Sequence, residues 1–188
     1  YLNIQDEGGT KEIINKVSSK IINELESINN IKRTKLPISE LNVALQCGGS
    51  DSYSGITANP ALGIASDMII NHGGSSILSE TTEIYGAEHL LYERSTSKTN
   101  IEKIEKQIEW WKEHLTKNHS TLDNNPSPGN KRGGLTTILE KSLGAVAKSG
   151  NSPMVDVLDY AEPIRTKGFN FMNSPGYDPV SVTGQVAS

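Results

Sequence analysis

The sequence predicts an α/β fold: an open, mostly parallel, three-layer (Rossmann-like) sheet with polar loops at the carboxyl ends of its strands. Three observations carry this. The apolar run Leu41 to Leu45 leads into the polar, glycine-rich stretch Gln46 to Pro60 and then an amphipathic segment, which reads as strand, loop, helix. A second short strand at 75–79 follows, so the three elements make a βαβ unit, normally parallel. The polar clusters 47–57 and 80–83 then both leave carboxyl ends of neighbouring strands and face one crevice, where open α/β sheets bind ligands.

Residues 1–36 read as an N-terminal helix and connector, and residues 37–188 as an α/β core domain. Thr10 is the expected N-cap of the first helix, with Glu12 in its first turn. Ile13, Ile14, Val17, Ile21 and Leu25 recur at helical spacing and predict a face docked on the sheet. Residues 29–38 are a basic connector of solvated charges. The second helix is expected over 59–72, with Leu62, Ala65, Met68 and Ile69 inward and Gly73-Gly74 as its stop.

A helix is predicted at 84–95. A longer one over 99–118 carries the stripe Ile101, Ile104, Ile108, Trp111 and Leu115, capped by Thr99 or Asn100. Trp110 lies off that stripe and suggests a second contact surface. Residues 119–134 form a long loop, a length that favours a functional role. The next helix, about 135–148, begins just after Lys131, Arg132 and Gly133-Gly134, a combination of cations and free N–H groups that suits an anion. Residues 154–160 read as a short helix and 168–172 as a strand. A third glycine-rich turn then precedes a helix-like segment near the end.

Composition bounds the partners. The chain of 188 residues has a formal net charge of −4 and a sequence pI near 5.6, which argues against nucleic acid or an anionic membrane surface. No apolar run approaches the ~20 residues of a membrane span, and no signal peptide is visible. The single cysteine excludes an internal disulfide framework and suits the cytoplasm. The chain starts at Tyr1 rather than Met and stops within an apparent helix start, which reads as a domain excised from a longer protein.

Several chemistries drop out on motif grounds. There is no H-E-x-x-H, no G-x-G-x-x-G, no phosphate-binding G-x-x-x-x-G-K-[ST] and no G-x-S-x-G elbow. What stands out is the 46–60 loop, with the only cysteine, three glycines, four Ser/Thr hydroxyls, one Asp and one Asn, far more hydrogen-bonding groups than flexibility alone requires. It reads as a polyol or oxyanion site. Within it Cys47 is a metal ligand, a nucleophile or a small buried hydrophobe, and Asp51 is a ligand, a base or a turn residue. Glu80 and Glu83 are paired carboxylates or helix-start acids, and the four histidines read as surface or core residues.

Several segments together resemble the altronate/galactarate dehydratases, hydro-lyases of sugar-acid catabolism. They are Leu45-Gln46-Cys47-Gly48-Gly49-Ser50-Asp51, the run Ser54 to Gly63, Ser79-Glu80 with Glu83 to Glu88, Asn125 to Lys131, Gly133 to Thr137, Glu140 to Ala145 with Lys148, and Pro175-Gly176 with Asp178. The resemblance covers roughly residues 37–188, and the runs Glu83–Leu91 and Glu140–Ala145 are more similar to the altronate members. It implies dehydration of D-altronate to 2-keto-3-deoxy-D-gluconate, with a divalent metal, Fe²⁺ or Mn²⁺. It also implies that residues 37–188 are a catalytic-core fragment completed by N- and C-terminal domains of the same protein, with a homo-oligomer left open.

A base must take the proton α to a carboxylate, charge must stabilise the resulting dianion, and an acid must help the C3 hydroxyl leave. On this resemblance Asp51, Glu80 and Lys131 are the catalytic candidates and Cys47 the metal candidate. Ser50, Ser54, Thr57, Asn59, Asn130 and Thr136 are the substrate-binding candidates. The competing expectations are galactarate dehydratase, a sulfolactate sulfo-lyase-like enzyme, or a catalytically incomplete substrate-binding or assembly fragment.

Overall fold

Four parallel strands, in the spatial order β1-β2-β4-β3, form the centre of residues 37–188 in a computed structural model that describes residues 2–178 and 180–181. They are β1 (Asn42–Leu45), β2 (Ser75–Leu78), β3 (Met154–Leu158) and β4 (Phe169–Met172). All three pairings are parallel, with Leu45 opposite Leu78 and Leu78 opposite Phe171. The α/β class and the open parallel sheet are therefore as the sequence predicts.

Side chains alternate across this sheet with the two-residue period of a strand. Leu45, Leu78, Phe169, Phe171 and Val157 belong to one large core cluster, and Ile77, Leu158 and Met172 to a smaller one closed by Ile164. The helices reach the larger cluster. Those are α2 (Ala58–Asn71) through Ile70, α4 (Lys98–Lys117) through Ile104 and Ile108, and α6 (Ile138–Ala147) through Val146. Two short helices, α3 (His89–Tyr92) and α5 (Pro128–Arg132), complete this part, with Leu91 of α3 also in the core. No helix among the described residues is long and apolar enough to cross a membrane.

Residues 1–36 form a separate compact unit. Its helix α1 (Thr10–Asn29) starts one residue earlier than a Thr10 cap allows, with Gly9 at the cap position. No residue of α1 is buried, and Ile14, Ile21 and Leu25 of the expected docking face are exposed.

Other departures have physical causes. Helix α2 turns the opposite face inward: Asn59, Gly63 and Ser66 are buried, whereas Leu62 and Met68 are exposed. Small residues let α2 lie against the chain leaving α6, where a Cβ on Gly63 would meet the backbone of Ala147 and Gly150. The stop at Gly73 is as expected. Its φ of 85° continues no helix, and Gly74 N–H bonds back to the Ile69 carbonyl.

The helix expected at 84–95 shrinks to α3 because Gly86, at φ 88°, breaks it. Helix α4 is capped by Ser97, which accepts from the Asn100 N–H, rather than by Thr99 or Asn100. Residues 154–160, expected as helix, contain β3; the alternation in Met-Val-Asp-Val-Leu was the strand signal. The loop 119–134 holds a turn of 3-10 helix, Leu122–Asn124, and α5. The helix-like segment expected after Pro179 lies largely outside the described residues.

Candidate functional site

The loops leaving β1, β2 and β4 are stitched together at one end of the sheet. Gln46 Nε2 donates to the Ser79 carbonyl at 3.3 Å and to Ser174 Oγ at 3.2 Å. Cys47 N–H reaches the Gly176 carbonyl, and Thr82 Oγ1 donates to the Pro175 carbonyl at 2.7 Å. The juxtaposition of 47–57 with 80–83 inferred from the βαβ pattern is thus real, and the third loop joins them.

A cavity of about 220 Å³, lined by polar side chains together with Ile56, Leu135 and Leu143, opens beside the first loop. One wall is Ser50, Asp51, Ser54 and Asn59; the other is Leu135 with Glu140, Lys141 and Gly144 of α6. The walls are tied directly. Asn59 Nδ2 donates to the Gly144 carbonyl at 2.9 Å, and Asn130 Nδ2 to the Ser50 carbonyl at 2.9 Å. Gly133 packs so closely on Asp51 that a Cβ there would lie 2.7 Å from the Asp51 Cβ.

Beneath this lies a buried ionic network. Lys141 Nζ donates to Glu83 Oε1 at 3.0 Å, Asn125 Oδ1 at 2.5 Å and Asn130 Oδ1 at 3.1 Å, which uses all three of its hydrogens. Lys148 pairs with Glu80 Oε1, and both side chains are almost fully buried. Burial pushes the Glu80 carboxyl up to about 8; Lys148 opposes this and the charge of Glu83 adds to it.

Of the residues predicted from sequence, Ser50, Asp51, Ser54 and Asn59 line the cavity. Asp51 and Ser54 also bond each other, Ser54 N–H donating to Asp51 Oδ1 at 2.7 Å. Asn130 is buried behind the wall as the link between Lys141 and Ser50. Glu80 is fully buried and absent from the cavity lining.

Others fall outside. Thr57 is exposed, its hydroxyl donating to the Tyr53 carbonyl. Thr136 is exposed and donates to Glu140 Oε2 at 2.8 Å. Lys131 is an exposed residue in the last turn of α5, and the next helix, α6, begins at Ile138 with Thr137 as cap, three residues later than the sequence predicts.

Sequence reasoning did not single out Lys141 and Lys148, the two buried lysines of the ionic network. Their signal was positional. Ile138, Lys141, Ser142, Ala145 and Lys148 recur at steps of three and four, so both lysines lie on the inward stripe of α6 and its C-terminal end.

Cys47 is buried, its sulfur 3.4 Å from Ser50 Oγ. Among the described residues no three His, Cys, Asp or Glu side chains converge as a metal would need. Glu80 and Glu83 are each matched to a buried ammonium group. The divalent metal implied by the resemblance thus has no fitting donor set among the described residues.

A larger, mostly apolar groove of about 670 Å³ lies between α4 and the loops after β3 and β4. Trp110, Trp111 and Tyr160 line it, with Trp111 Nε1 donating to Asn173 Oδ1 at 2.9 Å. Trp110 meets Trp111 edge-on and is half exposed. None of the candidate residues lies in this groove.

Residues 38–188 match the family model described as D-galactarate/Altronate dehydratase, C-terminal. The chain is 44% identical over 163 residues to an altronate dehydratase of Bacillus subtilis (strain 168), covering 87% of this chain and 33% of that protein. It is likewise 44% identical over 156 residues to an altronate dehydratase of Escherichia coli (strain K12), covering 83% and 32%. Identity to the galactarate dehydratase (L-threo-forming) of Escherichia coli (strain K12) is 39%, covering all of this chain and 36% of that protein. The chain spans about a third of the length of these curated relatives.

Proposed function

The chain belongs to the D-galactarate/altronate dehydratase C-terminal family, and from that premise we propose that it forms part of a sugar-acid hydro-lyase acting on D-altronate. The product on this reading is 2-keto-3-deoxy-D-gluconate, formed in hexuronate catabolism in the cytoplasm. The observation that carries the proposal is the cavity between the 50–59 loop and α6, where Ser50, Asp51, Ser54 and Asn59 converge on Lys141. Its size suits a small ligand rather than a drug-sized one.

The chemistry assigns roles within that cavity. A polyol chain needs many donors and acceptors, which Ser50, Ser54 and Asn59 supply. The carboxylate needs positive charge, which Lys141 supplies from the floor while the neighbouring amides hold it in place. Asp51 is the carboxylate in the loop wall and the proposed acceptor of the proton α to the substrate carboxyl. Segments equivalent to the remaining two-thirds of the relatives complete the site.

Two measurements check this reading. The intact natural protein carrying this chain is expected to release 2-keto acid from D-altronate; no turnover of altronate, with galactarate or (2R)-sulfolactate consumed instead, would replace the substrate assignment. Asp51→Asn is expected to lower kcat by about 10²- to 10⁴-fold with a smaller change in KM. Near-normal kcat would remove Asp51 from the chemistry.

A further inference from the structure

Two buried acceptor atoms in the ionic network have no hydrogen-bond partner. Glu80 engages Lys148 through Oε1, and Glu83 engages Lys141 through Oε1, yet Oε2 of both is buried and unpartnered. Leaving a buried carboxylate oxygen bare is costly. Glu80 caps the 3-10 turn Thr81–Glu83 whose last residue is Glu83, and the two carboxyls are in side-chain contact. Two ionised carboxylates side by side in a dry site repel strongly, and such pairs hold one proton between them.

We infer that Glu80 and Glu83 share a single proton, Glu80 Oε2 donating to Glu83 Oε2, so that the quartet with Lys141 and Lys148 carries one net positive charge. One hydrogen bond then satisfies both bare oxygens. The other groups facing the pair are the ammonium groups of Lys141 and Lys148, the Asn125 amide, and the Gly176 backbone, where a Cβ would lie 3.0 Å from Glu83 Oε1. None supplies a donor to either Oε2. Burial of Glu80, reinforced by Glu83 against the pull of Lys148, keeps the proton in place at neutral pH.

The consequence reaches the cavity through Lys141, which lines it. Two ammonium groups against one negative charge leave an excess to meet an incoming carboxylate. That use of the charge rests on the sugar-acid reading, whereas the shared proton rests on the network alone.

Infrared spectroscopy of the intact natural protein carrying this chain tests the proton. At neutral pH the wild type is expected to show the carbonyl stretch of a protonated carboxylic acid, and Glu80→Gln, whose amide replaces that acid, to lack it. No such band in the wild type, or a band untouched in Glu80→Gln, would overturn the inference.

Calorimetric titration with D-gluconate tests the use. Affinity is expected to fall several-fold as pH rises through the Glu80 pKa in the wild type, and to be flat in Glu80→Gln, which is locked in the charge state of the protonated pair. A flat profile in the wild type alongside the infrared band would overturn the role in recruiting the acid. Absence of any gluconate binding beside an intact band would count against the sugar-acid reading and leave the proton standing.

Discussion

Lys141→Ala is expected to remove about 3–5 kcal/mol of folding free energy, read as a lower denaturant midpoint of the intact natural protein. The magnitude follows from what the side chain leaves behind. Glu83 loses its ammonium partner in a site where its own side chain is 6% exposed. The amide oxygens of Asn125 and Asn130 lose a donor as well. Three acceptors, Glu83 Oε1 and the Asn125 and Asn130 amide oxygens, then lose a charged donor at once, which costs more than the bonds contribute on balance. A loss of that size rivals the whole stability of a domain, about 5–15 kcal/mol.

The damage also reaches the cavity, because Asn130 carries the Ser50 carbonyl. The double variant Lys141→Met with Glu83→Leu is expected to recover part of the loss, since neither charge is then stranded. A single-variant cost below roughly 1 kcal/mol, the value of an exposed pair, would show that the network is solvated and not buried.

Gly63→Ala is the second large effect. In a helix interior the exchange on its own favours the helix by about 1 kcal/mol. Here the added Cβ would collide with the Ala147 carbonyl oxygen and lie 2.9 Å from the Gly150 nitrogen. Both neighbours are backbone, so no side chain can swing away. Overpacking typically costs about 1–3 kcal/mol and more when backbone must move, so the net sign is destabilising.

The chain that must shift is the one carrying Lys148 into Glu80, and activity is therefore expected to fall with stability. Leu62→Ala on the exposed face of the same helix is the control, expected within about 0.5 kcal/mol of wild type. Equal losses at the two positions in the thermal melt would contradict the packing described for α2.

The contrast between Gly63 and Leu62 also shows where sequence reading ran short. A hydrophobic stripe marks a helix but cannot say which face another helix needs for close approach. Small residues won that face, and the apolar residues Leu62, Ile64 and Met68 were left outside. The βαβ unit was legible because Gly73-Gly74 and the two apolar runs punctuate it. So was the loop that supplies the cavity wall at Ser50, Asp51, Ser54 and Asn59, because its density of hydrogen-bonding groups sets it apart from a simple turn.

The buried lysines were not legible by type, because a lysine reads as surface until its register with Ile138 and Ala145 is counted. Lys131 shows the converse case. Its loop chemistry suited an anion, but the five-residue helix α5 consumed the backbone there and left the side chain exposed. In β3, Asp156 interrupts the apolar run, and the folded ladder shifts register between Met154 and Asp156.

The measurement that bears most directly on the account is a crystal structure of the intact natural protein with a non-eliminating aldonate, one lacking the C3 hydroxyl. The analogue is expected in the cavity between the 50–59 loop and α6, its carboxylate toward Lys141 and its hydroxyls against Ser50, Ser54 and Asn59. An analogue seated in the Trp110–Tyr160 groove, with that cavity empty, would contradict it.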